Sequence, residues 1–129
     1  MIVLDASLAL EILLRTPLGE QHADRVLGNE LHAPHLLDVE FVNALRRLAA
    51  AGGLKTDIAR QALDDMQNLG IERHEHTALL QRIWQLRDSV SAYDAAYIAL
   101  AEGLGAPLVT CDAKLGRSHG HHAQIVLVE

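Results

Sequence analysis

Apolar positions along the chain fall into short unbroken runs and longer stretches of helical period, and the two kinds alternate. Ile2 to Leu4 is a three-residue apolar run that predicts a buried strand. A helical pattern follows at once from Ser7 to about Arg15. Pro17 opens a second helix, roughly Leu18 to Leu27, which Gly28 closes. Leu31 to Ala33 predicts a short strand stopped by Pro34, and a long helix runs from about Leu36 to Ala51, ending at Gly52-Gly53. Thr56 is placed to cap a helix that reaches about Leu69, with Gly70 past its end. Ile71 to His74 reads as a strand, Thr77 to Arg87 as a helix, and Ser91 begins another helix that lasts to about Leu104. Pro107 to Thr110 and Ile125 to Val128 are the remaining strands.

Strands alternating with helices predict an α/β domain with a mainly parallel sheet covered on both faces. No internal repeat, linker or low-complexity stretch divides residues 1–129, so one domain is expected. Ligands of such sheets bind beyond the carboxyl ends of the strands. Acids just after strands therefore matter most. Asp5 follows the first strand and Asp112 follows PLVT. Asp94 lies in the first turn of SAYDAAYIALA, and Glu40 sits near the start of the long helix. On that helix Leu37, Phe41, Ala44, Leu45 and Leu48 form one apolar stripe. At about 100° per residue Glu40 falls a quarter turn off the stripe's centre, beside Asn43 and Arg47, with Asp38 on the other flank.

Clustered carboxylates repel one another, and a hard divalent cation such as Mg²⁺ relieves the repulsion while preferring oxygen ligands. Such an ion activates water and stabilises a leaving alkoxide in phosphodiester hydrolysis. Each acid also has a purely structural reading. Asp5 could cap the first helix, although Ser7 is available for that. Asp94 stands three residues after Ser91 in a capping-box pattern, Asp112 could serve a turn, and Glu40 could be a solvated helix acid. Spacing alone leaves both readings open.

Charge sharpens the choice. The net charge is −6, whereas a protein that grips nucleic acid by charge alone is basic. If it acts on nucleic acid, something must offset that acidity where the phosphate sits, and a bound divalent cation would do so. With aromatics at 3%, a base-stacking platform is disfavoured. No apolar run reaches the roughly 20 residues of a bilayer span, and the first residues lack the basic-then-apolar order of a signal peptide. The single cysteine, Cys111, gives no disulfide framework, which points to a reducing cytoplasm.

The strings IVLDAS, LLDVEFVNALRR and SAYDAAYIALAEGLGAPLVTCDAKL, followed by a closing apolar strand, resemble PIN-domain toxins of the VapC kind, in the right order and over nearly the whole chain. YDAAYIALAEGLGAPLVTCD is the most specific piece. The resemblance implies a three-layer α/β/α sandwich and a Mg²⁺- or Mn²⁺-dependent endoribonuclease acting as the toxin of a toxin–antitoxin pair. It implies a cognate antitoxin and a homodimer. The family's acids map onto Asp5, Glu40, Asp94 and Asp112, with Asp5, Asp94 and Asp112 as metal ligands. Asn43 would support Glu40, and Ser7 and Thr110 would be hydroxyl residues near the metal. A PIN-fold nuclease of RNA maturation or of DNA is the alternative. A phosphate-accepting receiver module is disfavoured, because Asp5 is followed by Ala6 rather than a second acid.

Arg46, Arg47, Lys114 and Arg117 flank these segments and could hold RNA phosphates, or be ordinary surface charges. His119, His121 and His122 cluster in GRSHGHHAQ, a Gly-rich stretch with no interleaved acid, and read as a solvated loop rather than a zinc site. Cys111 reads as a small packed residue rather than a nucleophile.

Overall fold

A computed structural model describes residues 1–129. Five strands, β1 (Ile2–Leu4), β2 (Leu31–Pro34), β3 (Ile71–His74), β4 (Leu108–Thr110) and β5 (Ile125–Leu127), form one sheet in the order β3-β2-β1-β4-β5. Every pairing is parallel. The sheet is flanked by α1 (Ala6–Leu13), α2 (Pro17–Leu27), α3 (Leu36–Ala50), α4 (Thr56–Asn68), α5 (Leu80–Gln85), α6 (Ala92–Leu104) and the one-turn α7 (Ala113–Gly116). This is the covered parallel sheet expected from the strand–helix alternation, and the α/β/α sandwich that the resemblance implies.

β1, β2 and β4 are buried throughout, as strands covered on both faces are, and are apolar save for His32 and Thr110. The chain builds outward from β1 through β2 to β3, then returns to place β4 on the other side of β1. The order reverses between β1 and β4. In open parallel sheets such a switch point leaves a crevice at the carboxyl ends of the two strands.

One apolar cluster of 26 buried residues runs through the sheet and both helix layers, with Phe41 of α3, Met66 of α4 and Ile98 of α6 among its members. α6 is the most deeply buried helix, sealed from Ala95 to Ala101. Ser91 caps its start, and Gly105 at φ 64° closes its end in the left-handed region that a side chain disfavours. α1 and α2 approach so closely that a Cβ on Gly19 would lie 1.9 Å from the Glu11 carbonyl oxygen. Only glycine fits there.

Several local expectations change. Asp5, not Ser7, caps α1, because the helix begins at Ala6 and Ser7 already lies inside it. Thr56 is the first residue of α4 rather than its cap; Lys55 holds that position without a side-chain bond. The stretch from Thr77 to Arg87 divides into a 3-10 turn, Thr77–Leu79, and the short α5. Pro34 is the last residue of β2 rather than the one after it, paired with His74 of β3 and beyond the pairing with β1.

Candidate active site

The switch point is lined by a hydroxyl–carboxylate network. Asp5, 5% exposed, accepts the Leu8 N–H at 3.1 Å, which starts α1. Its other oxygen accepts the hydroxyl of the buried Thr110 at 2.6 Å, across from β1 to β4. Ser7 donates to the same carboxylate at 2.9 Å and accepts the Cys111 N–H at 3.2 Å. The Thr110 hydroxyl in turn accepts the Asp112 N–H at 2.9 Å. Asp112 caps α7 by accepting the Lys114 N–H. One network thus fixes the ends of β1 and β4 to each other and aims two carboxylates at one edge. Ser7 and Thr110, the two hydroxyl residues named from the sequence, both bond to the Asp5 carboxylate.

Asp94 and Glu40 approach this edge from the helices. Asp94 is half-buried in the first turn of α6, where Ser91 accepts its backbone N–H at 3.2 Å. Glu40 is half-buried on α3, and the hydroxyl of the buried Tyr97 donates to its Oε1 at 2.6 Å. Tyr97 stands one turn after Asp94 on α6, so the two share a side of that helix.

Electrostatics bind the four acids into one set. Burial pushes the Asp5 carboxyl up to about 6, against the pull of its hydrogen bonds, and nearby Asp112 raises it further. Burial also raises Glu40, with Asp94 contributing, and raises Asp94, with Asp112 contributing and Lys114 opposing. Each of the three pays for losing water and for meeting a like charge. The donors form an open arrangement, since no three of these carboxylates bring oxygens within 4.8 Å of one another. An all-oxygen, partly desolvated, self-repelling set suits a hard divalent cation that keeps several of its waters.

The other expected residues spread around this edge. Asn43 and Arg47 line a cleft of about 800 Å³ with Glu40, Val39 and Tyr93. Arg46 donates to the Asn43 side-chain oxygen at 3.1 Å. Lys114 acts on Asp94 from the start of α7, and Arg117 ends that turn exposed. Cys111 packs beside the core, and burial pushes its thiol up to about 11, far from thiolate chemistry at neutral pH.

The histidine-rich loop is solvated, with His119 and His122 exposed, and is anchored at its backbone. Glu102 of α6 accepts the His122 N–H at 2.9 Å and a two-pronged pair of bonds from Arg82, while Ser89 donates to the His119 carbonyl. His119, His121 and His122 do not converge. Two features escaped the sequence reading. Tyr97 could have been suspected from its three-residue offset from Asp94. The convergence of His32, Glu72 and His74 depends on the β2–β3 pairing, and only the two-residue spacing of Glu72 and His74 is legible locally.

Residues 2–118 match the family model for the PIN domain. The chain is 43% identical over 128 residues to ribonuclease VapC12 of Mycobacterium tuberculosis, covering 99% of each chain. It is 41% identical over 128 residues to the VapC ribonuclease Mb0985 of Mycobacterium bovis, covering 99% of this chain and 98% of that one. Among solved structures it resembles PAE2754 from Pyrobaculum aerophilum, with a TM-score of 0.71 and 28% identity over 97% of this chain and 83% of that one.

Proposed function

Because this chain belongs to the PIN-domain family and aligns end to end with VapC ribonucleases, we propose that it is an endoribonuclease, the toxin of a toxin–antitoxin pair. The observation that carries this reading is the placement of Asp5 and Asp112 at the ends of β1 and β4, on either side of the switch point, with Asp94 and Glu40 electrostatically joined to them. Residues 1–129 are taken as one nuclease domain, in keeping with the single continuous core.

Asp5, Asp94 and Asp112 are the residues that would hold a divalent cation, Mg²⁺ or Mn²⁺ by the hardness of their oxygens, in part through the ion's own waters, since no three carboxylates converge closely enough to ligate it together. When bound, the cation supplies Lewis-acid polarisation of the phosphoryl group and lowers the pKa of an attacking water. Asp5 is held on four sides by the Leu8 N–H, Ser7, Thr110 and the packing around them, so it cannot swing away as charge builds. Glu40 leaves Oε2 for the water, because Oε1 is occupied by the Tyr97 hydroxyl. Its raised pKa suits it to take the proton as the new P–O bond forms and the old one breaks. Asn43 and Arg47 beside Glu40, with Arg46, Lys114 and Arg117 at the rim, would position the RNA backbone. A homodimer, a cognate antitoxin that covers the edge, and a cytoplasmic setting complete the reading. No helix is long and apolar enough to cross a membrane.

The test is to sequence RNA ends after brief induced expression of the wild type and of Asp112→Asn. New ends with the wild type alone are expected. The RNA so identified is then incubated with purified protein with and without excess chelator. No new ends on induction overturns the ribonuclease reading, and equal cleavage in chelator overturns the cation.

A further inference from the structure

The pleat of the sheet gathers a second set of donors on strands that contribute no acid to the edge just described. Residues two apart along a strand share a face. The β2–β3 register sets His32 against Glu72 and Pro34 against His74. His32, Glu72 and His74 therefore leave from one face, while Arg73 leaves from the other to reach Asp38 of α3. Glu30 stands two residues before His32 on the same side.

Their polar atoms meet. His32 Nδ1 lies 2.8 Å from His74 Nε2 and 3.6 Å from Glu72 Oε2. One ligand atom from each of the three falls within 4.8 Å of the other two. His32 is 3% exposed, whereas the Glu72 side chain is 65% exposed, so the group is packed on one side and open on the other. The second ring nitrogen of His32 lies 2.6 Å from Glu30 Oε1. A carboxylate there accepts the Nε2 proton, which leaves the lone pair on Nδ1. Two ring nitrogens then face each other across a gap that needs one proton or one ion between them.

We infer that His32 Nδ1, His74 Nε2 and Glu72 Oε2 form a binding site for a borderline divalent transition cation, with Zn²⁺ as the reference ion. Ligand bonds of the usual zinc length put tetrahedral neighbours about 3.3 Å apart. The two separations measured from His32 Nδ1 bracket that value. Two imidazoles and a carboxylate form a recurrent zinc donor set, and the nitrogens select against Mg²⁺ and Ca²⁺. The His74 proton moves through solvent from Nε2 to Nδ1 as the ion takes its place, so both rings bind as neutral imidazoles. Glu30 holds His32 from behind, as a carboxylate commonly does for a ligating histidine. The fourth position opens to solvent beside Glu72. The ion would staple the edge strand β3 to β2, remote in composition and chemistry from the oxygen-only edge.

The experiment uses the tag-free full chain, stripped with chelator, in millimolar Mg²⁺ so that the carboxylate edge is occupied. Zn²⁺ is titrated by calorimetry, and Co²⁺ by its visible ligand-field absorbance. Variants are His74→Gln, the exposed-site Glu72→Gln, Asp112→Asn, and a loop variant in which His119, His121 and His122 are all replaced by Ala, each checked for folding by circular dichroism. One ion per chain and a raised Tm are expected for the wild type, unchanged in Asp112→Asn and in the loop variant. Affinity should fall at least tenfold in both His74→Gln and Glu72→Gln. No binding at tens of micromolar ion overturns the site. So does wild-type affinity in a folded His74→Gln or Glu72→Gln protein, and so does loss of binding in the loop variant or in Asp112→Asn.

Discussion

The two halves of the sheet bring side chains together by different means. On the β1–β4 side, four carboxylates reach one edge because strand ends and early helical turns share it, whatever the register. On the β2–β3 side, His32 meets Glu72 only because one specific register pairs them. The energetics differ as well. Burial and like charge raise Asp5, Glu40 and Asp94, so the acidic edge works against folding until something positive arrives. The imidazole pair already shares a hydrogen bond and a carboxylate partner, so it supports the fold as it stands. One side holds strained charge, and the other holds satisfied polarity.

The largest test of that contrast is Asp94→Asn. Asn keeps the size of the side chain, and the Ser91 cap is untouched because it uses the backbone N–H. Removing one of the repelling charges should leave cation-free stability equal to or above wild type. RNA cleavage should fall at least about a hundredfold, as removal of a charge-stabilising group commonly costs that much. Single-turnover cleavage alongside urea unfolding checks both. A variant that loses stability as well as activity would break the contrast.

Next comes the pH dependence of stability without added cation. The folded Asp5 carboxyl titrates near 6 and the unfolded one near 3.8, so between those values the native state holds the extra proton. Stability should therefore fall as pH rises through that window, by on the order of 2–3 kcal/mol for the full shift. Asp5→Asn should flatten the slope, since its amide oxygen can still accept the Leu8 N–H without a titration. Urea melts at several pH values in chelator measure it. A smaller effect belongs to Tyr97→Phe, which strips the hydrogen bond from Glu40. That bond holds the Glu40 pKa down, so its loss should move the acid limb of the cleavage profile to higher pH, with activity at neutral pH reduced about tenfold or less. Smallest is Ser91→Ala. It should cost about 1 kcal/mol of stability and leave activity in the cold largely intact, because the charge at the head of α6 belongs to Asp94 and the Ser91 hydroxyl is the least of the influences on it.

The unequal legibility of the two halves has a physical cause. β1, β2, α3 and α6 announce themselves through period and punctuation, and the order of strands and helices is enough to bring Asp5 and Asp112 to one edge. Their partners needed coordinates. α7 is a single turn with no periodic signal, yet it makes Asp112 a cap. Asp5 took the capping role because it alone separates β1 from α1, so the helix starts two residues earlier than a Ser7 cap would allow. The adjacent histidines 119, 121 and 122 draw the eye and do not meet, since the loop is held by Glu102 and Ser89 instead. Arg82 keeps Glu102 charged, with its carboxyl down at about 2, which makes that anchor insensitive to pH in the physiological range. His32 and His74 stand 42 positions apart and meet, because strand pairing and register are invisible in a linear string.

The double duty of Asp5 bears on how such a gene decays. If its product harms the cell that makes it, survivors accumulate lesions that silence it. At position 94 the helix is begun by Ser91, so many replacements there would disarm the protein and still yield a folded chain. At position 5 the same carboxylate begins α1 and bridges β1 to β4, so most replacements would destroy the fold together with the toxicity. Folded, harmless survivors changed at position 5 should be mostly Asn, and those changed at position 94 should be chemically diverse. A selection that scores both survival and soluble protein would read the division of labour between the two aspartates directly from the alleles it recovers.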